Sequence, residues 1–297
     1  MFAGVPVLRA RMREYKYWAF AAVSVGMISS SLDHGSVNVA LPTVAAHFQT
    51  DFTTVQWVTI GYALTISALL LPMGRLSDLV GRKGVYIGGS LIFVLGALVA
   101  GASPNLTTLV VARIIEGSGA AMTQGTGMAI VIAAFPASER GKAIGLIITV
   151  IGTGSIAGPA IGGFLVDALG WRAVLLANVP VVLLGVGAAA VILTDSRDTP
   201  AAQDGRDRKF DWLGAALSTG ALVTLLLALT NGHKSEWTSP IILVALLSFV
   251  GLLAAFIWWE LRTANPLLDL RLFQRSLFSL GVSAHFLTFL GSSAAIF

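Results

Sequence analysis

Apolar residues in this chain come in long blocks, and polar residues gather in short intervals between them. Nine blocks are long enough to cross a bilayer, over 17–42, 54–74, 84–102, 106–135, 141–166, 171–194, 211–230, 239–260 and 277–297. A membrane helix needs about 20 predominantly apolar residues. None of the blocks shows the alternating segments of about ten residues that mark the strands of a membrane barrel. The pattern predicts an all-α membrane protein.

Composition agrees. The chain has 297 residues, 56% hydrophobic and 11% charged, against about 25% charged in a soluble domain. It has no cysteine, which excludes disulfides, thiolate metal sites and cysteine nucleophiles. Its four histidines, His34, His47, His233 and His285, are scattered. They show neither metal-ligand spacing nor a nucleophile–base arrangement, so neither an enzyme nor a metal site is expected.

The net charge of +4 raises nucleic-acid binding, and the placement of the charges argues against it. With a cytoplasmic N-terminus, the inner segments hold Arg9, Arg11, Arg13 and Lys16; Arg75, Arg82 and Lys83; Arg140 and Lys142; Arg197, Arg206, Arg208 and Lys209; and Arg262, Arg271 and Arg275. The outer loops hold Arg172 and Lys234, and Arg113 lies inside a block. That is the positive-inside distribution of a multi-pass membrane protein. The basic surplus is a topology signal, and the bilayer, not nucleic acid, is the expected partner. The N-terminus does not read as a cleaved signal: its apolar stretch is too long and lacks a small-residue cleavage pattern.

The longest polar interval, TDSRDTPAAQDGRDRKFDW from Thr194 to Trp212, mixes both charge signs with Pro and Gly. It reads as a flexible linker that divides six blocks from three. The last block runs to Phe297 without a polar tail, and the expectation is a C-terminally truncated chain.

Four stretches carry chemistry. GRLSDLVGRKG, Gly74 to Gly84, places glycines at both ends for a tight turn, an acid suited to a helix N-terminus at Asp78, and partners at Arg82 and Lys83. GTGSIAGPAIGG, Gly152 to Gly163, stacks Gly154, Gly158 and Gly162 on one face, which permits close backbone approach. Pro159 beside them removes a helix hydrogen bond and favours a kink. LVVARIIEGSGAAMTQGTG, Leu109 to Gly127, puts Arg113 and Glu116 three apart on one face that Gln124 extends. An arginine inside lipid should face the bundle interior and a partner. LDHGSVNVALP, Leu32 to Pro42, sets Asp33 beside His34 in the first block. Asp33 lies about 14 Å below the outer end of its block, and Arg113 and Glu116 about 10 and 15 Å below the same end, so the three share a depth.

These stretches resemble the major facilitator superfamily. The spacing G-x-L-x-D-x-x-G-R-K is similar to its loop signature, with Leu79 where the family usually carries arginine. The resemblance makes Gly74, Asp78, Gly81, Arg82 and Lys83 a cytoplasmic gate latch. The run Gly154, Gly158, Pro159, Gly162, Gly163 resembles the antiporter signature of drug/proton exporters. The Arg113 stretch resembles a motif whose arginine is linked to proton transfer, with Glu116 at the family's glutamine position. Asp33, Asn38, Ala40, Leu41 and Pro42 match the first-helix signature of the fourteen-span drug/proton antiporters, where Gly35 replaces the usual threonine. GWRAVLLANVP at Gly170 resembles the start of the sixth helix, and FDWLGAAL at Phe210 and PLLDLRLFQRSLFSLG at Pro266 resemble the flanks of two extra central helices.

The resemblance implies a cytoplasmic N-terminus over 1–16, an N-terminal six-helix bundle over 17–194, and a cytoplasmic linker over 195–210. Two extra central helices follow over 211–260, then a cytoplasmic loop over 261–276 and a ninth helix over 277–297 that starts an incomplete second half. It implies a monomeric transporter of the plasma membrane that exports amphipathic or cationic small molecules in exchange for protons. The proton gradient, each charge worth about 2.3 kcal/mol per 100 mV, replaces any cofactor. Asp33, Arg113, Glu116, Asn38 and Gln124 would line the substrate cavity. In that cavity burial favours the protonated acid and a nearby cation favours the carboxylate. His34 lies about 100° round the helix from Asp33 and reads as a bystander. The other readings are export of one endogenous metabolite and a non-transporting remnant.

Overall fold

The computed structural model describes residues 5–194, 209–232 and 237–294. Most of the linker expected over 195–210, the first residues of the N-terminal segment, Lys234, and the last three residues of the ninth block lie outside them. Every apolar block is helical within the described residues. The chain divides into two compact units, Met1–Asp207 and Arg208–Phe297.

The first unit holds α1 (Val5–Phe48), α2 (Phe52–Val55), α3 (Trp57–Val80), α4 (Arg82–Gly101), α5 (Leu106–Ala134), α6 (Arg140–Leu169), α7 (Trp171–Leu176) and α8 (Asn178–Ile192). Local chemistry sets the breaks. Gly81 (φ 114°) ends α3 and Gly170 (φ 84°) ends α6, backbone angles that a side chain disfavours. Asn105 caps α5 by accepting from the Thr108 N–H at 2.8 Å, and Asp51 caps α2 by accepting from the Thr54 N–H at 2.9 Å. Pro180 has no N–H to give Leu176, and the sixth block divides into α7 and α8 beside that gap. α6 runs unbroken through Pro159.

α5 forms the centre of this unit, packed against α3, α4 and α1, while α6 and α8 pack against α1. Apolar cores lie at both ends of the bundle. One gathers Val37, Val58, Leu109 and Trp171; the other gathers Val23, Tyr86, Ile130 and Ile147. Between them, Tyr62, Phe93, Ala120 and Val182 form a third cluster. The outer faces are apolar and open, with Ile156, Phe164, Leu184 and Val191 largely exposed, as expected of surfaces solvated by lipid.

The second unit holds α9 (Trp212–Gly232), α10 (Pro240–Glu260) and α11 (Ser276–Ala294). α9 and α10 pack together, pinned where the Trp259 indole N–H reaches both carboxylate oxygens of Asp211 at 2.9 Å.

Among the described residues, six stretches are long and apolar enough to cross a membrane: Phe52–Val80, Arg82–Gly101, Ala137–Leu169, Trp171–Ile192, Trp212–Gly232 and Pro240–Glu260. The protein is an all-α, multi-pass membrane bundle. The blocks at 17–42 and 106–135 are also continuous helices of sufficient length. They are less apolar because they carry the polar interior: Ser29, Ser30, Asp33 and Ser36 on α1, and Arg113, Glu116, Thr123 and Thr126 on α5, all buried.

Candidate functional site

Arg113 sits on α5 with a fully buried side chain, and its contacts define the site. Its Nη1 lies 2.7 Å from Glu116 Oε2, one turn along the same helix, and 2.7 Å from Asp33 Oδ2 on α1. The contact to Glu116 is a directed hydrogen bond. The contact to Asp33 lies off the N–H direction, and Asp33 Oδ2 has no hydrogen-bond partner. Nε of the same guanidinium donates to the Val58 carbonyl at 3.3 Å. The guanidinium plane covers the Tyr62 ring at 4.1 Å, a cation–π contact strengthened by the absence of water.

Tyr62 extends the cluster sideways. Its hydroxyl meets Ser30 Oγ at 3.0 Å, and the Gln124 amide donates to that same Ser30 oxygen at 2.8 Å. Asn178 of α8 donates to Asp33 Oδ1 at 3.5 Å. Five helices thus supply the site: α1, α3, α5 and α8 through side chains, and α4 through its backbone at Gly96. A methyl group on Gly96 would lie 2.5–2.6 Å from the N, Cα and Cβ atoms of Glu116. Only glycine there lets α4 close over the acid.

The depth read from the sequence brings Asp33, Arg113 and Glu116 together, and Gln124 joins them through Ser30. Asn38 does not: it is exposed on α1. Asp33, Arg113 and Glu116 were expected to meet in the central cavity; in the structure they meet, and all three have no solvent exposure. They are sealed between packed helices, because the small residues around them let the backbones close. His34 is exposed and stacks on Tyr62, with ring centroids 6.1 Å apart.

The glycine motif of α6 faces α1. A Cβ on Gly154 would lie 2.9 Å from Ile28 O, one on Gly158 2.8 Å from Leu32 O, and one on Gly162 2.6 Å from Ser36 Cα. Ser36 Oγ donates to the Gly158 carbonyl across this seam at 2.8 Å. Gly163 turns away, its nearest neighbour being Val39 Cγ1 at 3.9 Å. The exception at Gly35 has a steric reason: a Cβ there would lie 3.0 Å from Pro159 Cδ and 3.2 Å from Gly158 Cα, so a branched residue would push the helices apart.

The loop between α3 and α4 makes a second constellation. Arg82 donates to Asp78 through Nε and Nη2 at 3.0 and 2.9 Å, and through Nη1 to the Ala129 carbonyl of α5 at 3.1 Å. Lys83 donates to the Ala190 carbonyl near the end of α8 at 2.7 Å. Two local expectations change. The turn is made at Gly81, while Gly74 and Gly84 lie inside helices. Among the described residues Asp78 takes its hydrogen bonds from Arg82 and not from a helix N-terminus. The close approach of α5 there rests on Gly125, where a Cβ would lie 3.0 Å from Leu70 O and 3.3 Å from Gly74 N, whereas one on Gly74 would meet nothing within 4 Å.

Sequence reasoning missed Tyr62, Asn178 and Gly96, whereas Ser30 falls on the small and polar stripe that Asp33 and Ser36 share at three-to-four spacing. Tyr62 and Asn178 were legible only as polar groups inside apolar blocks, and nothing in the pattern of Gly96 separates it from the many other glycines.

The site is thus a buried acid–arginine–acid cluster inside a membrane bundle whose helices close through glycine seams. Residues 23–297 match the model of the Major Facilitator Superfamily, and the chain belongs to that family. It is 35% identical over 263 residues to the multidrug resistance protein Stp of Mycobacterium tuberculosis, covering 88% of this chain and 48% of that one. It is 34% identical over 266 residues to the riboflavin transporter RibZ of Clostridioides difficile, covering 90% and 56%. A probable actinorhodin transporter of Streptomyces coelicolor is 31% identical over 284 residues, covering 93% and 48%. The chain spans about half the length of these relatives.

Proposed function

We propose that this chain belongs to a proton-coupled exporter of amphipathic or cationic small molecules, of the fourteen-span antiporter group. The N-terminus is cytoplasmic and the membrane is the plasma membrane. The observation that carries the reading is the Asp33–Arg113–Glu116 cluster, buried without exposure between helices that pack through glycine seams. Acids and a cation are costly inside a membrane, and a cluster that brings them together there suits a group that takes and releases a proton. The names of similar proteins, a multidrug resistance protein and an actinorhodin transporter among them, support export of small organic molecules.

Because the cluster is sealed, an organic cation does not reach Asp33 in this state. The substrate meets the exposed polar side of α1 at Asn38, while half-buried Gln124 holds Ser30 about two turns away along α1. Gln124 reports on the proton site through Ser30 and Tyr62. The loop at Asp78, Arg82 and Lys83 serves as the cytoplasmic latch, since it ties α3 and α4 to α5 and α8.

The test is proton release from the purified chain in lipid nanodiscs, in weak buffer, on addition of the lipophilic cation tetraphenylphosphonium. Release is expected from the wild type and not from Asp33→Asn. No release, or release undiminished in Asp33→Asn, refutes the reading.

A further inference from the structure

We propose that Asp33, Arg113 and Glu116 form a single-proton site. The two carboxyl groups share one proton in the resting protein; the cluster is neutral with that proton and singly negative without it.

The charge count carries the argument. Two acids and one guanidinium, all without solvent exposure, sum to one negative charge when every group is ionised. An uncompensated charge at that depth is strongly disfavoured. Among the described residues, Arg113 is the one lysine or arginine in ion-pair contact with either acid.

Among the described residues, the elements packed around the cluster bring no other ion pair to it. α3 contributes the Tyr62 ring, α4 the backbone at Gly96, and α8 the neutral amide of Asn178. His34 stacks on the Tyr62 ring from the exposed side.

The hydrogen bonds leave a place for that proton. Arg113 Nη1 is directed at Glu116 Oε2 and only near Asp33 Oδ2; Asp33 Oδ2 and Glu116 Oε1, with Arg113 Nη2 on the donor side, are buried without a hydrogen-bond partner. Such orphans are rare in folded proteins. A proton on either carboxyl occupies one of these free carboxylate oxygens and removes the surplus charge. On opening, it passes from the carboxyl to water as hydronium and leaves a carboxylate behind.

One consequence is distinctive. Either acid alone balances Arg113, so replacing either one by its amide removes the need for the proton. The assignment rests on the cluster used in the proposed antiport. Its test needs neither substrate nor transport, so each can fail without the other.

The experiment is infrared spectroscopy of the full 297-residue chain in lipid nanodiscs at neutral pH. It reads the protonated-carboxyl C=O stretch as wild type minus variant, which cancels the buried carboxyls of Asp211 and Glu260. The expected result is the loss of one protonated carboxyl per chain in Asp33→Asn and equally in Glu116→Gln, with no loss in Glu116→Asp or His34→Ala. Persistence of the band in either amide variant overturns the proposal, as does its loss in Glu116→Asp or His34→Ala.

Discussion

The seam between α1 and α6 is the sharpest place to test how the bundle is held together. A Cβ on Gly162 would lie 2.6 Å from Ser36 Cα, 2.7 Å from Ser36 O and 2.9 Å from Ser36 Cβ. Ordinary carbon contacts are about 3.5–4.0 Å, so Gly162→Ala forces the helices apart by about 1 Å. Two of the three atoms are backbone, and no rotamer change relieves them. Overpacking of this kind costs about 1–3 kcal/mol. Gly163→Ala is the control one position on, with its nearest neighbour at 3.9 Å, and a substitution away from such contacts stays within about 0.5 kcal/mol. Thermal unfolding of the purified chain in detergent, followed by circular dichroism, should rank Gly162→Ala clearly below both Gly163→Ala and wild type. Equal midpoints for the two alanine variants would refute the close-packed seam.

Other substitutions follow from the same geometry. Gly96→Ala drives a methyl into the Glu116 backbone; it should lower the unfolding midpoint by a similar amount, about 1–3 kcal/mol. Arg113→Ala leaves two buried acids without their cation, a loss of about 3–5 kcal/mol, and should fail to accumulate in membranes while Asp33→Asn accumulates normally. Tyr62→Phe keeps the ring beneath Arg113 and removes the hydroxyl contact to Ser30, so it should cost about 1 kcal/mol in the same unfolding measurement. Arg82→Ala removes a partly exposed pair with Asp78 worth about 0–1 kcal/mol. Its effect should appear as faster hydrogen exchange near the α3–α4 turn and not as a lower midpoint.

Some of this protein is written along the chain and some is not. Apolar blocks of membrane-spanning length dictate helices, because a backbone in lipid must satisfy its own hydrogen bonds. The three-to-four spacing of Gly154, Gly158 and Gly162 already names a packing face, and those three are the ones pressed against α1. Counting residues from the block ends was enough to set Asp33, Arg113 and Glu116 at one depth. What periodicity does not carry is which helix stands beside which. Tyr62 beneath the guanidinium, Gly96 against Glu116 and Asn178 at Asp33 come from helices far apart in sequence, and their meeting depends on pairwise packing. Burial follows the same rule. Block depth was consistent with charges in an open cavity, but the approach of α4 over Glu116 and of α6 along α1 closed the bundle around them. Depth is a one-dimensional property that the order of residues sets. Access to solvent depends on how closely neighbouring backbones approach, and only the tertiary structure decides it.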